Sequence, residues 1–395
     1  MKKRLFIIIS IILVCVFVMM LLDHFKKTFV KNTDDKTNNV IKTFELEYGD
    51  IAYVSDYVEV KNGKLIDQKI EYDDLGKQTV KYSILDNNKV TDHELNVNVV
   101  DTSAPIVMLN EKLTLVKGNV DNLIDKIMCA DNYDKHPKCI IKGDYNLNEV
   151  GVYSLKYIAE DSKGNKTTID FELNIIEKIK PSSASSETQI IDVINTYKKE
   201  NNKIGIDVSK WQGEIDWKKV KESGVEFAMI RVGTQGGFGK ENYVDKYFVT
   251  NIENAIKEDI PVGIYFYSYA TNKEEATNQA KWVLEQIKDY KITLPVVFDW
   301  ESWSKFNNLD LNLYEITGIQ ETFLNEIKKS GYETARYGSK NYLTNAWQES
   351  EHITWLAHYT NVTNYEGEYF MWQLCNNGRV PGINGYVDIN VLYAN

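Results

Sequence analysis

The chain has 395 residues, 43% of them apolar and 26% charged, which is typical of a globular protein rather than a disordered or collagen-like one. Its 57 acidic residues outnumber its 46 Lys and Arg, and the formal net charge of −11 excludes non-specific nucleic-acid binding as a main function. The 4 cysteines form no CxxC pair, which excludes a disulfide-dense scaffold and argues against a cysteine-based zinc site.

Residues 1–22 have the pattern of a membrane anchor. Lys2, Lys3 and Arg4 precede the uncharged run Leu5–Leu22. As a helix this run is about 27 Å long, enough to cross the bilayer core, and the basic start places the N-terminus in the cytoplasm. A cleaved signal peptide is the alternative, although no small-x-small site follows the run. We expect an uncleaved, single-pass anchor with the bulk of a bacterial chain extracytoplasmic.

The next segments predict a stalk and two all-β domains. Residues 23–42 are polar, whereas residues 43–101 and 102–178 alternate polar and apolar side chains between turn residues, which predicts antiparallel strands. The segment from Asp74 repeats in the segment from Glu149, and both copies continue through an Asp-rich turn into another alternating strand. The two units resemble bacterial immunoglobulin-like domains, and this implies two sandwiches that space a catalytic module from a surface.

Cysteine spacing and composition mark two further features. Cys129 and Cys139 fall in one loop of the second unit, and outside the cell we predict a disulfide between them, with two free thiols as the alternative. Cys375 has no obvious partner and is interpreted as a small buried side chain. Residues 179–202 are predicted to be a linker, because they begin with a Pro- and Ser-rich stretch and continue through a short amphipathic segment.

Residues 203–395 alternate between strand and helix patterns. A Thr271-x-x-Glu274 capping box is predicted to start one of the helices. Because the pattern gives eight strands with mostly helical crossovers, we predict a modified (β/α) TIM-like barrel whose last connections are short. The eight strands are expected near residues 204–207, 227–232, 261–267, 294–300, 334–337, 353–359, 369–374 and 387–392.

Four acidic residues lie where such a barrel carries its chemistry. Asp207 ends the first predicted strand, Asp299 and Glu301 end the fourth, and Asp388 lies on the eighth. Closure of the barrel makes strands one and eight neighbours, and residues two apart leave the same face of a strand, so all four carboxylates should meet in one cleft. Crowded carboxylates keep one proton near neutral pH, and glycosidic cleavage needs a proton donor and an anion at the anomeric centre. Helix capping would explain any single Asp, but not this set.

An ordered set of motifs resembles glycoside hydrolase family 25, the bacterial and phage muramidases. The resemblance covers roughly residues 203–393. In many members His follows the strand-three Tyr, where this chain has Phe266. The motifs are Ile204-Gly205-Ile206-Asp207-Val208-Ser209-Lys210-Trp211-Gln212-Gly213 followed by Ile215-Asp216-Trp217, Phe227-Ala228-Met229-Ile230-Arg231, Gly263-Ile264-Tyr265-Phe266-Tyr267-Ser268, Phe298-Asp299-Trp300-Glu301, Trp355-Leu356-Ala357-His358-Tyr359, Trp372-Gln373-Leu374 and Val387-Asp388-Ile389-Asn390.

The resemblance implies a role for each of the four acids. Glu301 matches the general acid, Asp299 matches the carboxylate that assists the anomeric centre, and Asp207 and Asp388 match the other two site acids. Asp299 could attack as a nucleophile, or it could assist attack by the substrate's own N-acetyl group, which the Asp-x-Glu pair favours. The chemistry requires no metal or other cofactor, and the five histidines show no ligand spacing.

Aromatic and polar residues near strand ends are candidates for sugar contacts, although core packing explains buried Trp and Tyr equally well. Arg231 could hold a site carboxylate through a bidentate pair, or bridge two surface acids. The predicted substrate-binding residues are Tyr265, Tyr267, Tyr337, Trp355 and Gln373, and further candidates are Trp300, Trp303, Tyr359 and Trp372.

Together these features predict a membrane-anchored, extracytoplasmic N-acetylmuramidase that cleaves the β-1,4 bond between N-acetylmuramic acid and N-acetylglucosamine during local wall remodelling. Its expected partners are peptidoglycan, the bacterial membrane through the N-terminal helix, and wall-associated proteins through the immunoglobulin-like domains. A catalytically inactive glycan-binding adhesin and a glycosidase for another β-linked amino sugar, such as chitin, are the alternatives.

Overall fold

The computed structural model describes residues 38–40, 43–179 and 187–393. The predicted anchor, most of the predicted stalk and part of the predicted linker lie outside these residues. No helix in the described ranges is long and apolar enough to cross a membrane. The chain divides into two compact units between Thr102 and Ser103.

The first unit is all-β, as its alternation predicts. A four-stranded sheet has the order β2-β6-β5-β4, and β1 pairs with β3. The long strands β5 and β6 form a hairpin whose turn contains Asn87 and Asn88, both with positive φ, which Asn tolerates better than most residues. The strands are β1 (Asn38–Val40), β2 (Thr43–Glu47), β3 (Val58–Val60), β4 (Lys64–Ile66), β5 (Gly76–Asp86) and β6 (Lys89–Val100), with a 3₁₀ helix at Val54–Asp56.

Residues 103–179, which we call the second β domain, repeat this arrangement. A four-stranded sheet has the order β10-β11-β12-β8, β7 pairs with β9, and the hairpin β11–β12 falls on the second copy of the sequence repeat. A disulfide joins Cys129 to Cys139 and so links the two sheets. The strands are β7 (Ile106–Met108), β8 (Lys112–Val116), β9 (Met128–Ala130), β10 (Lys138–Lys142), β11 (Gly151–Glu160) and β12 (Lys166–Ile176), with a 3₁₀ helix at Leu123–Lys126.

The C-terminal part contains the predicted eight-stranded barrel. Its strands are β14 (Asn202–Val208), β15 (Phe227–Gln235), β17 (Val262–Tyr267), β18 (Val296–Asp299), β19 (Thr334–Ser339), β20 (Ile353–Ala357), β21 (Met371–Arg379) and β22 (Val387–Tyr393), with the small strands β13 (Thr188–Gln189) and β16 (Asn242–Val244) added to it. The helices are α1 (Ile190–Tyr197), α2 (Trp217–Glu222), α3 (Phe248–Lys257), α4 (Lys273–Ile287), α5 (Leu313–Lys329) and α6 (Lys340–Asn345), with 3₁₀ helices at Lys210–Gln212 and Ser302–Asn308.

Barrel closure depends on the last strand. Strands β14 to β21 are parallel to their barrel neighbours, whereas β22 runs antiparallel to both β21 and β14 and closes the ring. An antiparallel strand begins at the edge where its parallel neighbours end. The start of β22 therefore lies at the edge where the parallel strands end. Short connections, as predicted from the sequence, are long enough to join the last strands.

Two apolar layers hold the barrel. The inner layer consists of strand residues such as Phe227, Met229 and Val297. The outer layer lies between strands and helices and includes Phe266 and Phe323. Phe266 is fully buried there, so the departure from the family pattern at this position does not change a cleft contact.

Three details differ from the sequence predictions. Residues 188–202 are not only a linker, because Ile190 and Val193 of α1 are buried in the barrel's outer layer. The cap of α4 is Asn272, which accepts from the backbone N of Glu275, one residue later than the predicted capping box. Strand β18 ends at Asp299, so Glu301 does not lie on the strand with it.

Candidate active site

A cavity of about 230 Å³ opens at the carboxyl ends of the barrel strands. All nine residues predicted for catalysis or substrate binding line it, although they come from seven different strands and one loop. The lining consists of Asp207, Ser209, Trp211, Gln212, Arg231, Tyr265, Tyr267, Asp299, Glu301, Tyr337, Trp355, Tyr359, Gln373 and Asp388. We call this cavity the acidic cleft.

Asp207 and Asp388 meet because β14 and β22 are paired. The two residues are direct partners in the antiparallel register, as strand closure predicts. Burial is the main cause that raises the pKa of both carboxyls, and the charge of Asp207 adds to the rise at Asp388, whose pKa reaches about 9. The hydrogen bond between them raises the pKa of Asp388 and lowers that of Asp207, so Asp388 is the member that keeps the proton.

Asp207 is held in place by a network of neutral side chains. Its Oδ2 accepts from Asn390 Nδ2 at 2.7 Å and from Gln373 Nε2 at 2.9 Å. Gln373 Oε1 in turn accepts from the hydroxyls of Tyr337 at 2.9 Å and Tyr359 at 3.0 Å. Gln373 thus lines the cleft as predicted, but its amide already forms hydrogen bonds with Asp207 and the two tyrosines.

Trp355 also supports Asp207, through Asn390. It is only 2% exposed, and its indole Nε1 donates to Asn390 Oδ1 at 2.8 Å. Because Asn390 donates onward to Asp207, the indole fixes the orientation of that amide. Trp355 was predicted to bind substrate; its polar atom instead supports the carboxylate.

Asp299 and Glu301 form a second carboxyl pair with a different construction. Asp299 is the last residue of β18 and is 5% exposed, whereas Glu301 starts the 3₁₀ helix and is open to the cleft. The sequence prediction placed both on one strand face; the turn at Trp300 brings them together instead. Among the described residues, the buried Oδ1 of Asp299 has no hydrogen-bond partner.

This second pair also retains a proton. Loss of water is the main cause that raises the pKa of Asp299 well above its usual range, and the neighbouring Glu301 charge adds to it. The pKa of Glu301 is raised as well, chiefly by desolvation and then by the charge of Asp207, while the hydrogen bond with Asp299 opposes the rise. The proton is held more tightly by Asp299, and Glu301 is the member that faces the open cleft.

Arg231 is the cation of the acidic cleft, and its ion-pair partner is Asp245. Arg231 Nε and Nη2 donate to Asp245 Oδ2 at 2.8 and 2.6 Å, and both side chains are buried. Neither sequence alternative for Arg231 was right, because Asp245 is neither one of the four site acids nor a surface residue. The Arg231 charge still lowers the pKa of Asp299, although less than burial raises it.

The sequence missed the most exposed aromatic residue of the acidic cleft. Trp211 lines it and is 76% exposed, with Lys210 Nζ 5.0 Å from its ring centre. By contrast, the candidates Trp300, Trp303 and Trp372 are at most 3% exposed and belong to the core. A signal for Trp211 existed in its place four residues after Asp207, in the loop that follows the first strand.

A second cavity of about 510 Å³ adjoins the first. The two share Glu301, Tyr337 and Tyr359, so Glu301 lies where they meet. The lining of the second cavity also includes Ser339, Lys340, Asn341, Thr344, Asn345, Ala357 and His358. A ligand lying through both cavities would pass directly over Glu301.

Comparisons with known proteins agree with this geometry. Residues 206–383 match the family model of glycosyl hydrolases family 25. The chain is 33% identical over 197 residues to uncharacterized protein YegX of Escherichia coli strain K12, a match that covers 47% of this chain and 68% of YegX. It is 30% identical over 211 residues to Lysozyme M1 of Streptomyces globisporus, covering 47% of this chain and 66% of that enzyme.

The chain is also similar to solved structures. The modular autolysin LytC from Streptococcus pneumoniae aligns with a TM-score of 0.44 at 25% identity, covering 60% of this chain and 56% of that chain. This chain therefore spans about half of the length of that autolysin.

Proposed function

This chain belongs to glycosyl hydrolase family 25, as a lysozyme-type glycoside hydrolase, and we propose that it is an N-acetylmuramidase that cleaves the β-1,4 bond between N-acetylmuramic acid and N-acetylglucosamine in peptidoglycan. One observation carries this proposal: the carboxyls of Asp207, Asp299, Glu301 and Asp388 line one cleft at the catalytic edge of the barrel. Proton donor and stabilising anion are thereby available within one site.

Glu301 is the general acid in this proposal. It lies at the meeting point of the two cavities and opens to solvent, so a glycosidic oxygen can reach its carboxyl. Desolvation and the charge of Asp207 raise its pKa, which favours the protonated form that a general acid needs. As the bond breaks, the proton passes from Glu301 to the leaving oxygen, and Glu301 later takes a proton from the attacking water.

Asp299 supplies the anion at the anomeric centre. When the shared proton moves across the hydrogen bond to Glu301, Asp299 is left negatively charged beside it. The unpartnered Oδ1 of Asp299 fits acceptance of the N–H of the substrate's 2-acetamido group. That contact orients the acetamido carbonyl oxygen, which attacks the anomeric carbon as the leaving-group bond breaks and gives a cyclic oxazolinium ion that water opens.

The two cavities support cleavage within a chain rather than at its end. Sugar units on both sides of the scissile bond need room, and Glu301 has a cavity on each side. The acidic cleft is the more negative of the two, whereas the cation Lys340 lines the second cavity. Carboxylates of the peptidoglycan stem are therefore better accommodated in the second cavity.

The remaining parts of the chain suggest where this activity acts. We propose that Leu5–Leu22 anchors the protein in the bacterial membrane and that residues 43–101 and 102–178 are immunoglobulin-like domains. The barrel would then act in the wall zone outside the membrane. An anchored hydrolase is suited to local remodelling of the wall rather than to wholesale lysis.

Product analysis tests the proposed function. Purified peptidoglycan is digested with the full chain, the products are reduced with borohydride, and mass spectrometry identifies the sugar that carries the new reducing end. The proposal predicts reduced N-acetylmuramic acid. Reduced N-acetylglucosamine would show that the other glycosidic bond is cut, and wall binding without product release would show a silent, glycan-binding barrel.

A further inference from the structure

Strand β9 of the second β domain has one face in each of two cores. Met128 and Ala130 belong to the apolar layer that surrounds the barrel. Cys129, which points the other way, belongs to the core of its own domain and carries the disulfide to β10. All three residues are at most 7% exposed. The second β domain is therefore fused to the barrel at this strand rather than tethered by a linker alone.

The outer edge of β9 is closed by one side chain of the barrel. β7 pairs with one edge of the strand. Toward the barrel, the Cys129 backbone N donates to Asn307 Oδ1 at 3.0 Å, and Asn307 Nδ2 donates to the Ile127 carbonyl at 2.8 Å. The Asn307 amide thus takes the place of a neighbouring strand's backbone, satisfying a donor and an acceptor that would otherwise lack partners.

The segment that follows Asn307 makes further contacts with the second β domain. The Leu313 backbone N, at the start of α5, donates to the Asp131 carbonyl at 2.8 Å. Asn312 Nδ2 donates to the Tyr133 carbonyl at 2.7 Å. Lys135 Nζ lies 2.9 Å from Glu315 Oε1. The first turn of α5 therefore uses the second β domain to satisfy one of the backbone N–H groups that a helix start leaves open.

These contacts fall on the segment that begins at the general acid. Glu301 lies beyond the end of β18, so the strand ladder does not fix it, and it is the N-cap of the 3₁₀ helix that contains Asn307. Within that helix Trp303 and Phe306 pack into the core, and Trp303 stacks on Tyr342 of α6 at 4.8 Å between ring centres. Since α6 lines the second cavity through Lys340 and Asn341, a shift of the 3₁₀ helix would move both Glu301 and that wall.

We propose that the second β domain is part of the catalytic machinery, with Asn307 as a positioning residue. Its contact with β9 fixes the 3₁₀ helix and thereby holds Glu301 within reach of Asp299, where the two carboxyls share a proton. The kinetic side of this inference rests on the proposed hydrolase function, whereas the docking of β9 does not.

The test compares two neighbouring amides in the full chain. Asn307→Ala removes both bonds to β9, Asn307→Asp keeps the acceptor for Cys129 N–H but removes the donor to Ile127, and Asn308→Ala is the control in the same 3₁₀ helix. Wall hydrolysis is followed across pH for kcat and KM, and amide hydrogen exchange is followed over residues 301–308.

We expect Asn307→Ala to lower kcat by about tenfold or more with little change in KM, because a small displacement of a catalytic group is costly. The alkaline limb of its pH profile should move to lower pH, since a Glu301 displaced toward solvent and away from Asp207 loses the burial and the neighbouring charge that raise its pKa. The kcat of Asn307→Asp should lie between those of Asn307→Ala and the wild type, and the kcat of Asn308→Ala should match the wild type. Exchange at residues 301–308 should rise only in the Asn307 variants.

Two results would overturn the inference. One is an Asn307→Ala protein whose kcat and pH profile stay within about twofold of the wild type. The other is an equal loss in Asn308→Ala, which would show that the bonds to β9 are not responsible.

A second variant covers the case in which Asn307→Ala does not fold. Cys129→Ala/Cys139→Ala loosens β9 from the far side without touching the barrel, and the same drop in kcat and shift in pH profile are expected; unchanged kinetics would refute the inference. If the wild type hydrolyses no wall, the proposed function fails, and the exchange comparison alone decides whether β9 holds the segment after Glu301.

Discussion

The two carboxyl pairs of the acidic cleft are built in opposite ways. Asp207 and Asp388 lie on paired strands, and Asp207 is surrounded by donors that are themselves held. Asp299 and Glu301 are joined by a turn, and Asp299 keeps a buried oxygen without a partner among the described residues. A fully bonded carboxylate is fixed in place, whereas an unsatisfied one is ready for a substrate. In the proposed mechanism the first pair therefore serves as support and the second pair carries the reaction.

If the two pairs differ in this way, the largest loss of activity in this comparison is expected from a substitution at Asp299. Asp299→Asn keeps the shape but removes the anion beside the anomeric centre, and kcat should fall by about 10²–10³-fold, as for loss of an electrostatic stabiliser. Initial rates of wall solubilisation measure this.

The same position separates the two mechanisms. Azide added to Asp299→Ala should yield no glycosyl azide if the acetamido group is the attacking group. Formation of an α-glycosyl azide would instead show that Asp299 is itself the nucleophile.

A smaller loss is expected from the supporting pair. Gln373→Ala removes one of the two amide donors to Asp207 and releases the hydroxyls of Tyr337 and Tyr359. We expect kcat to fall by about tenfold with KM nearly unchanged, because Asp207 loses orientation rather than substrate contact. A rise in KM at constant kcat would show instead that Gln373 binds sugar directly.

The exposed rim should affect binding rather than turnover. Trp211→Ala removes an aromatic face beside the acidic cleft, and KM should rise by about two- to tenfold, the equivalent of one aromatic contact. Trp211→Phe should recover most of the affinity. Tyr145→Ala, which removes an exposed aromatic side chain from the second β domain, should leave KM unchanged; an equal rise there would count against a local role of Trp211.

A further effect is on stability, and its sign follows from the raised pKa of Asp388. The folded chain holds this proton up to a pKa of about 9, whereas an unfolded Asp loses it near pH ~3.9. Between these values the folded state binds more protons, so the contribution of Asp388 to stability is present at low pH and is lost as pH rises. Asp388→Asn removes the dependence.

Thermal unfolding at several pH values checks this prediction. Asp388→Asn and the wild type should melt at similar temperatures near pH 4. As pH approaches 9, the melting temperature of the variant should exceed that of the wild type by about 2–4 °C for each kcal/mol of unfolding free energy that the wild type loses. A melting temperature of Asp388→Asn that falls relative to the wild type as pH rises would show that Asp388 is ionised in the folded protein.

The sequence supports some of these features better than others. The meeting of Asp207 with Asp388 follows from strand count and closure alone, and so it was predictable. The meeting of Asp299 with Glu301 was predicted for the wrong reason, because β18 stops at Asp299 and a turn replaces the expected strand face. Strand length at the barrel edge depends on packing that no local pattern encodes.

The direction of individual side chains was the second feature that the sequence could not predict. Alternation placed Gln373 and Trp355 at the cleft, but whether an amide or indole turns toward substrate or toward a buried acid depends on partners from distant strands. Strand β9 was not predictable either. Its three residues are too few to show a periodicity that would place its two faces in different cores. Asn307 could not be distinguished from Asn308 by sequence.

The most direct measurement of the central claim is the initial rate of peptidoglycan solubilisation by Glu301→Gln, with the exposed Glu366→Gln as matched control. The amide cannot donate the proton that the leaving oxygen requires, so the rate should fall by about 10²–10⁴-fold, while Glu366→Gln stays at the wild-type rate. A Glu301→Gln protein that solubilises the wall as fast as the wild type would contradict the assignment of the acidic cleft as the catalytic site.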